Sequence, residues 1–584
     1  MMPNLPPYGM FVPHRTPTPQ LADWHTLVVW SEVFPRAQVT KADLVGQVQR
    51  IGKYRGLRLV AAVNSIALRN GATAPGIQLE LANEFTKKLQ LVRRPILAEV
   101  AKGRILFAEE PLAILAAYII QHGVGEEPEP DYVMHGFTNA LLMVNELFGN
   151  EQIDIQRATE AASPGIDRLE SFLPMELRAA AIDDEPMDHL IARIHAFVKW
   201  AREQSPTINP YLDIDAAFVA IFGYTYEDMT AAGLVMRHYF HSIDSIPQLQ
   251  NLDPITDIEF LVGPLKVQQP IRDFAQLHSV PIAQLAAELS KRDRMTAAAL
   301  LPLQRRPLVD LGNGRYACPS LTFLSASLGI GLFHRLAEYY GGQQLRLRFY
   351  RLFARFLQEH TARTIEQAVA KRNVVVVREF DYHVGKHRKN SSDVILIEGR
   401  RAVFFDVCNK RLNAELSLNA ADLDSMRRDV DGMILDQAKQ LDGRIADFRA
   451  GRFTINGLVS ANIDEIIPVA ITHQSIHGWA ATRRYIDRRL REKGYLQNGP
   501  RLEVISLAEL ETLVQAFDGD LSFADLMNAR ANHASEVARG RSLKNYLLLD
   551  SGWDGKDKCE NAGFREWFDN VAIAKLTEWG FTFG

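Results

Sequence analysis

Residues Ser391–Leu412, SSDVILIEGRRAVFFDVCNKRL, restrict the chain more than any other stretch. Asp393 opens an apolar run, Val394–Ile397. A tight Glu398-Gly399-Arg400-Arg401 turn follows, and a second apolar run, Ala402–Val407, carries Asp406 near its end. Alternate residues of a strand face the same side, so Asp406, Cys408 and Lys410 share a face if the strand continues. Asp393, at the start of the neighbouring arm, then lies close to Asp406. A carboxylate that follows Val-Phe-Phe needs a compensating partner, because burying a charge is costly. Two carboxylates converging at a strand end make an oxygen-rich site suited to Mg²⁺. A metal there can lower the pKa of bound water and stabilise charge on a phosphodiester, and a nearby lysine can offset developing negative charge.

The surroundings of this pair alternate helix and strand. Phe323–Ala370 has helical spacing divided at Gly341-Gly342, and Val374–Val377 reads as a strand ahead of the two already named. A helix over about 421–448, a strand at Ile466–Ile471, a helix at Trp479–Leu490 and a strand at Leu502–Ile505 follow. Ser506-Leu507-Ala508-Glu509 is a capping box that opens a last helix. The order α-β-β-β-α-β-α-β-α is that of a mixed α/β domain over residues 331–515.

The rest of the chain reads differently. Residues 1–20 are a proline-rich arm. Residues 21–250 form a mostly helical domain, with apolar spacings of three and four in Ala42–Leu68, Pro111–His122 and Phe137–Phe148. Acidic breaks at Glu126–Asp131 and Asp183–Asp188 read as loops. Residues 251–330 connect the two parts and hold a β-hairpin, Arg306–Ser320, whose Asn313-Gly314 supplies the positive φ angles of its turn. Residues 516–584 carry little signal and read as a tail. The fold class expected is therefore α+β and multidomain, with a mostly helical N-terminal half and a C-terminal α/β domain.

The Asp393 and Asp406 segment resembles the PD-(D/E)xK superfamily of metal-dependent nucleases, with their restriction-endonuclease-like fold. That family begins one strand with an aspartate and carries an acid-x-lysine triplet on the next. Asp393 matches the aspartate and Asp406 the acid, while Cys408 stands where the lysine belongs. The resemblance implies that Lys410, on the same face, supplies the missing charge, or that the site is degenerate and only binds. The family's helical glutamate falls on Glu359, with Glu366 in reserve, and its later glutamine on Gln437 or Gln440. The implied cofactor is Mg²⁺ or Mn²⁺, held by Glu359, Asp393 and Asp406.

Charge supports a nucleic-acid partner, DNA before RNA. The whole chain has a net charge of −4, yet between Arg335 and Arg411 basic residues outnumber acidic ones two to one. Arg346, Arg348, Arg351 and Arg355 recur on one helix, and Lys386, Arg388 and Lys389 precede Asp393. With Gln440, such a patch suits a phosphate backbone without reading sequence. A solvated helix face accounts for the arginines equally well. His383 and His387 have helical metal spacing but sit in a turn, so they read as surface histidines.

Three distant cysteines, Cys318, Cys408 and Cys559, offer no zinc ribbon or disulfide framework and fit a reducing cytoplasm. The longest apolar run is too short to span a bilayer, and no secretory leader is evident, so no membrane partner is expected. No phosphate loop, dinucleotide-binding or nucleophile-elbow motif appears. The reading is a nuclease, of the architecture used in microbial antiviral defence or restriction, whose helical half senses a trigger or binds a protein partner. The alternatives are a catalytically degenerate nucleic-acid-binding or assembly component, and a protein whose business end is the helical half.

Overall fold

The computed structural model describes residues 4–5, 27–34, 38–70, 75–125, 130–162, 167, 170–180, 187–207, 212–240, 255–292, 297–370, 372–412, 423–476, 480–516, 522–535, 538–539, 543, 546–547 and 562–583. Most of the proline-rich arm, the acidic breaks at 126–129 and 181–186, and Cys559 lie outside them. The chain is mixed α+β, with a mostly helical N-terminal half. Among the described residues, no helix is long and apolar enough to cross a membrane.

The helical spacing of Ala42–Leu68 resolves into two helices, Lys41–Ile51 and Lys53–Asn70. Thr40 caps the first, its hydroxyl accepting from the Asp43 amide while Asp43 accepts from the Thr40 amide. Gly52, at φ 79°, turns the chain between them, a conformation that only glycine adopts without strain. These helices, with Pro75–Thr86, Glu109–His122 and Pro130–Ala162, enclose one apolar core. That core also takes in Val280, Leu285, Val309 and Phe323 from the connecting region.

After α1 (Met187–Gln204), the connecting region forms a small sheet. It contains β1 (Thr256–Asp257), β2 (Ser279–Pro281), β3 (Leu308–Asp310) and β4 (Arg315–Ala317), in the order β1-β4-β3-β2. The expected hairpin is β3–β4, with Asn313 at φ 54° and Gly314 at φ 71°. Between β2 and β3 run α2 (Ile282–Leu289) and the short α3 (Leu301–Arg305). α4 (Ile330–Tyr339) and α5 (Gln343–Val369) follow, separated by Gly341-Gly342 as the sequence suggests.

A five-stranded sheet then positions the acid pair. Its strands are β5 (Val375–Arg378), β8 (Val394–Glu398), β9 (Arg401–Cys408), β10 (Glu465–Thr472) and β11 (Glu503–Ser506), in the order β11-β10-β9-β8-β5. β8 runs antiparallel to both of its neighbours, β5 and β9, and β10 and β11 run parallel to β9. A hairpin of β6 (Asp381–Val384) and β7 (His387–Asn390) stands apart from the sheet. The helices between and after the last strands are α6 (Leu423–Val430), α7 (Asp436–Arg449), α8 (Ala480–Lys493) and α9 (Leu507–Ala516). A π-helical turn at Asp431–Leu435 joins α6 to α7.

Period-two alternation sorts the sheet into two faces. Val394, Leu396, Val403 and Phe405 join the core that contains Phe349, Leu352 and Phe356 of α5. Ile395, Ile397, Phe404 and Cys408 join the core that contains Leu441 and Phe448 of α7 and Tyr485 of α8. The α5 side extends well beyond the sheet. It includes Ile191, Phe197 and Val198 of α1, and also Trp567 and Trp579 from residues 516–584, which read as a tail in the sequence. Both tryptophans are buried.

Candidate functional site

β8 and β9 bring Asp393 and Asp406 together. Phe405 pairs with Val394, so the next residues outward are Asp406 and Asp393. The Asp393 carboxylate accepts from the backbone amide of Val407 at 2.7 Å, so it carries the ladder one step past the end of β8. Its other oxygen accepts from Gln358 Nε2 at 2.9 Å. Asp406 lies on the central strand, with Ala470 of β10 on its other side, and is 1% exposed. Its side chain shares the face of Phe404 and Cys408 and meets α7, where the Arg444 guanidinium binds Oδ2. Arg444 also donates through Nε to the Asn390 carbonyl at 3.1 Å.

The electrostatics of the pair follow from this burial. Desolvation, then the nearby Asp406 charge, raise the Asp393 pKa far above the usual carboxylate range. Burial raises Asp406 as well, against the opposing pull of Arg444. The exposed Glu379 adds a third negative charge that disfavours ionisation of both. Asp406 Oδ1 is buried without a hydrogen-bond partner among the described residues. Even with Arg444 in place, the site is short of positive charge.

The remaining candidates are distributed around the pair. α5 presents Gln358 to Asp393, while Glu359 accepts from Arg363 at 2.7 Å and from Arg378 at 2.7 Å. Glu366 also binds Arg378. Lys410 is exposed and pairs with Asp436 at the start of α7, at 2.6 Å. Cys408 is buried in the apolar layer under α7, where desolvation pushes its thiol up while Lys410 and Gln437 pull the other way. Arg351 and Arg355 are exposed on α5, and Gln440 is exposed on α7. Lys386 occupies the β6–β7 turn; Arg388 pairs with Asp381, and Lys389 reaches Asp447 on α7 at 2.6 Å. His383 and His387 are exposed on that hairpin.

Sequence reasoning passed over Arg444, Gln358 and Glu379. A signal existed for Arg444, which lies four residues after Gln440 and seven after Gln437 on one helix, and so on one stripe. Gln358 precedes Glu359, and a step of one residue on a helix turns the side chain by about 100°.

The donor set bears on a divalent cation. Asp393, Asp406 and Glu379 are hard oxygen donors, and Asp406 Oδ1 has no hydrogen-bond partner among the described residues. Among the described residues, no group of three or more His, Cys, Asp or Glu could hold a metal. Mg²⁺ ordinarily needs only one or two carboxylates, completing its shell with water and substrate phosphate. A pair that is undercompensated and partly unpartnered fits such an ion. No family model, curated protein or solved structure matches the chain.

Proposed function

We propose that residues 331–515 form a PD-(D/E)xK-like nuclease domain that hydrolyses phosphodiester bonds of DNA, or of RNA, with Mg²⁺ or Mn²⁺. One observation carries this reading: two buried carboxylates, from adjacent strands, meet at one strand end with a guanidinium between them and α7. Such an arrangement has no evident structural use, because an apolar pair would pack there at lower desolvation cost.

Asp393 and Asp406 would hold the ion. Bound there, it would lower the pKa of a water and take up charge on the phosphate. Gln358 fixes the rotamer of Asp393, and the Val407 amide fixes its second oxygen. Arg444 supplies the fixed positive charge that the family's lysine would give, and it does so from α7 instead of β9. Lys410 is the second cation, close to α7 and free to follow a phosphate once Asp436 releases it. The exposed Arg351, Arg355 and Lys386 would steer the backbone toward the pair. The helical half would carry the sensor or partner site, and the architecture suits a defence or restriction effector in the cytoplasm.

The second reading is a degenerate domain that binds without cutting. It is favoured by the burial of Cys408 in the apolar layer, where the motif lysine is absent. Purified protein incubated with supercoiled, linear and single-stranded DNA and with RNA decides between them, in Mg²⁺, Mn²⁺ or chelator. Cleavage that needs the metal and falls to background in Asp393→Asn and Asp406→Asn supports the nuclease. Binding without cleavage in any metal supports the degenerate reading and sinks the first.

A further inference from the structure

α5 changes character partway along its length. Residues 343–358 hold four arginines and no acidic residue. From Glu359 onward the acids return: Glu359 pairs with Arg363 and Arg378, and Glu366 with Arg378. Arg348, Arg351 and Arg355, by contrast, form no ion pair among the described residues. Like charges three or four residues apart destabilise a helix, so a face that serves only solvation gains from mixed signs. Residues 343–358 offer one sign alone.

The same face is also partly apolar. At about 100° per residue, Leu347, Tyr350, Arg351, Arg355 and Gln358 fall within an arc of roughly 140°. Phe349, Phe353 and Phe356 occupy the opposite side and are buried. Leu347 is 49% exposed and Tyr350 37% exposed. The Tyr350 ring is held in place, stacked on Phe333 of α4 with centroids 5.8 Å apart and planes at 29°. Arg411, just past the end of β9, lies over the Phe333 ring in turn, at 4.0 Å. Gln358 ends the arc and donates to Asp393 at 2.9 Å. A rise of about 1.5 Å per residue puts Arg355 roughly 5 Å along the helix from Gln358, and Tyr350 roughly 12 Å. A fixed aromatic surface and a row of cations thus lead toward the acid pair.

We propose that this face of α5 binds single-stranded nucleic acid, with a base stacked on Tyr350 beside Leu347 and phosphates on Arg351 and Arg355. Stacking on an aromatic side chain needs the flat face of a base, and a duplex keeps those faces inside its own stack. The proposal rests on the nuclease reading of the Asp393–Asp406 pair for the fate of the strand, and it names that substrate as single-stranded.

The test is fluorescence anisotropy of the full chain in chelator, where no metal-dependent cleavage runs. The probes are a labelled oligothymidylate of about 12 nucleotides, the matching oligouridylate, and the duplex of the first with oligoadenylate. The single strand should bind about tenfold more tightly than the duplex. Tyr350→Ala should weaken single-strand binding about fivefold or more, the loss of one stacked base, while Tyr350→Phe should bind as the wild type does. Duplex binding should be the same in all three proteins, which separates lost stacking from a lost fold. Arg351→Gln/Arg355→Gln should lower the slope of log affinity against log salt by about 1.4, the counterions of two phosphates. The tighter of the two single strands identifies DNA or RNA as the source. No binding of either single strand overturns the proposal, as does a duplex bound equally well or an affinity indifferent to Tyr350→Ala. Binding as expected, without cleavage once Mg²⁺ or Mn²⁺ is added, keeps the strand site and sinks the nuclease reading. Metal-dependent cleavage with no preference for the single strand does the reverse.

Discussion

Replacing Arg444 by methionine keeps most of the side-chain length and removes the charge. Asp406 would then remain 1% exposed beside Asp393 with its ion-pair partner gone. Breaking a buried pair from one side costs about 3–5 kcal/mol, because the surviving charge is left uncompensated. The size of this penalty depends on pH. Burial places Asp393 at about 7 and Asp406 at about 6, both above the ordinary carboxylate range. A raised carboxyl contributes stability that is fully present below its unfolded pKa, near 4, and is lost as pH rises through its folded value. At pH 5 the pair is largely protonated, and the methionine variant should lose little. At pH 8 the charges are uncompensated, and the full penalty should appear. Urea unfolding at both pH values measures this, and Arg444→Met/Asp406→Asn should recover most of the loss at pH 8. Equal destabilisation at both pH values, or no recovery in the double variant, would refute the role given to Arg444.

Three further outcomes are expected. Glu511 accepts from Arg193 Nε at 3.0 Å and lies 2.7 Å from His360 Nε2, joining α9 to α1 and α5, so Glu511→Ala should cost about 3–5 kcal/mol in urea unfolding. Glu176 takes the Ala481 and Thr482 amides at the start of α8, yet burial raises its carboxyl to about 7. Its contribution is therefore complete below the ordinary carboxylate range and lost as pH rises through about 7, and Glu176→Gln should show a flatter melting profile between pH 5 and 8.5. Cys318 and Cys408 are both buried, and burial raises both thiols, so a thiol reagent should reach them only in denaturant.

The sheet strands were legible because period-two alternation and apolar runs coincide in them. Val394–Ile397 was read for an observed Val394–Glu398, and Ala402–Val407 for Arg401–Cys408. The β6–β7 hairpin escaped because it stands off the sheet and every residue of β7 is exposed, leaving no alternation to read. The π-helical turn escaped because Asp431–Leu435 keeps a helical spacing of apolar residues, and one extra residue per turn leaves no mark on it. The meeting of Asp393 and Asp406 could be argued from parity alone. Which helical neighbour faces them could not, since a pattern gives a helix's buried stripe but not its rotation to within one residue. Residues 562–583 gave little signal, although Trp567 and Trp579 end up among the largest buried side chains.

That burial bears on how the protein is made. The helix Ala562–Trp567 packs against α1, and Phe581 belongs to the same core as Ile191. On a ribosome, α1 emerges long before the segment that covers it. The part of α1 that Ala562–Trp567 covers must wait, exposed, while the whole sheet is synthesised, since chains grow at only about 5–20 residues per second. Closure of that core is therefore a late event of long sequence separation, which makes it slow. A nascent chain stalled before residue 562 would hold an assembled acid pair on an unfinished foundation, with one side of α1 open to chaperones.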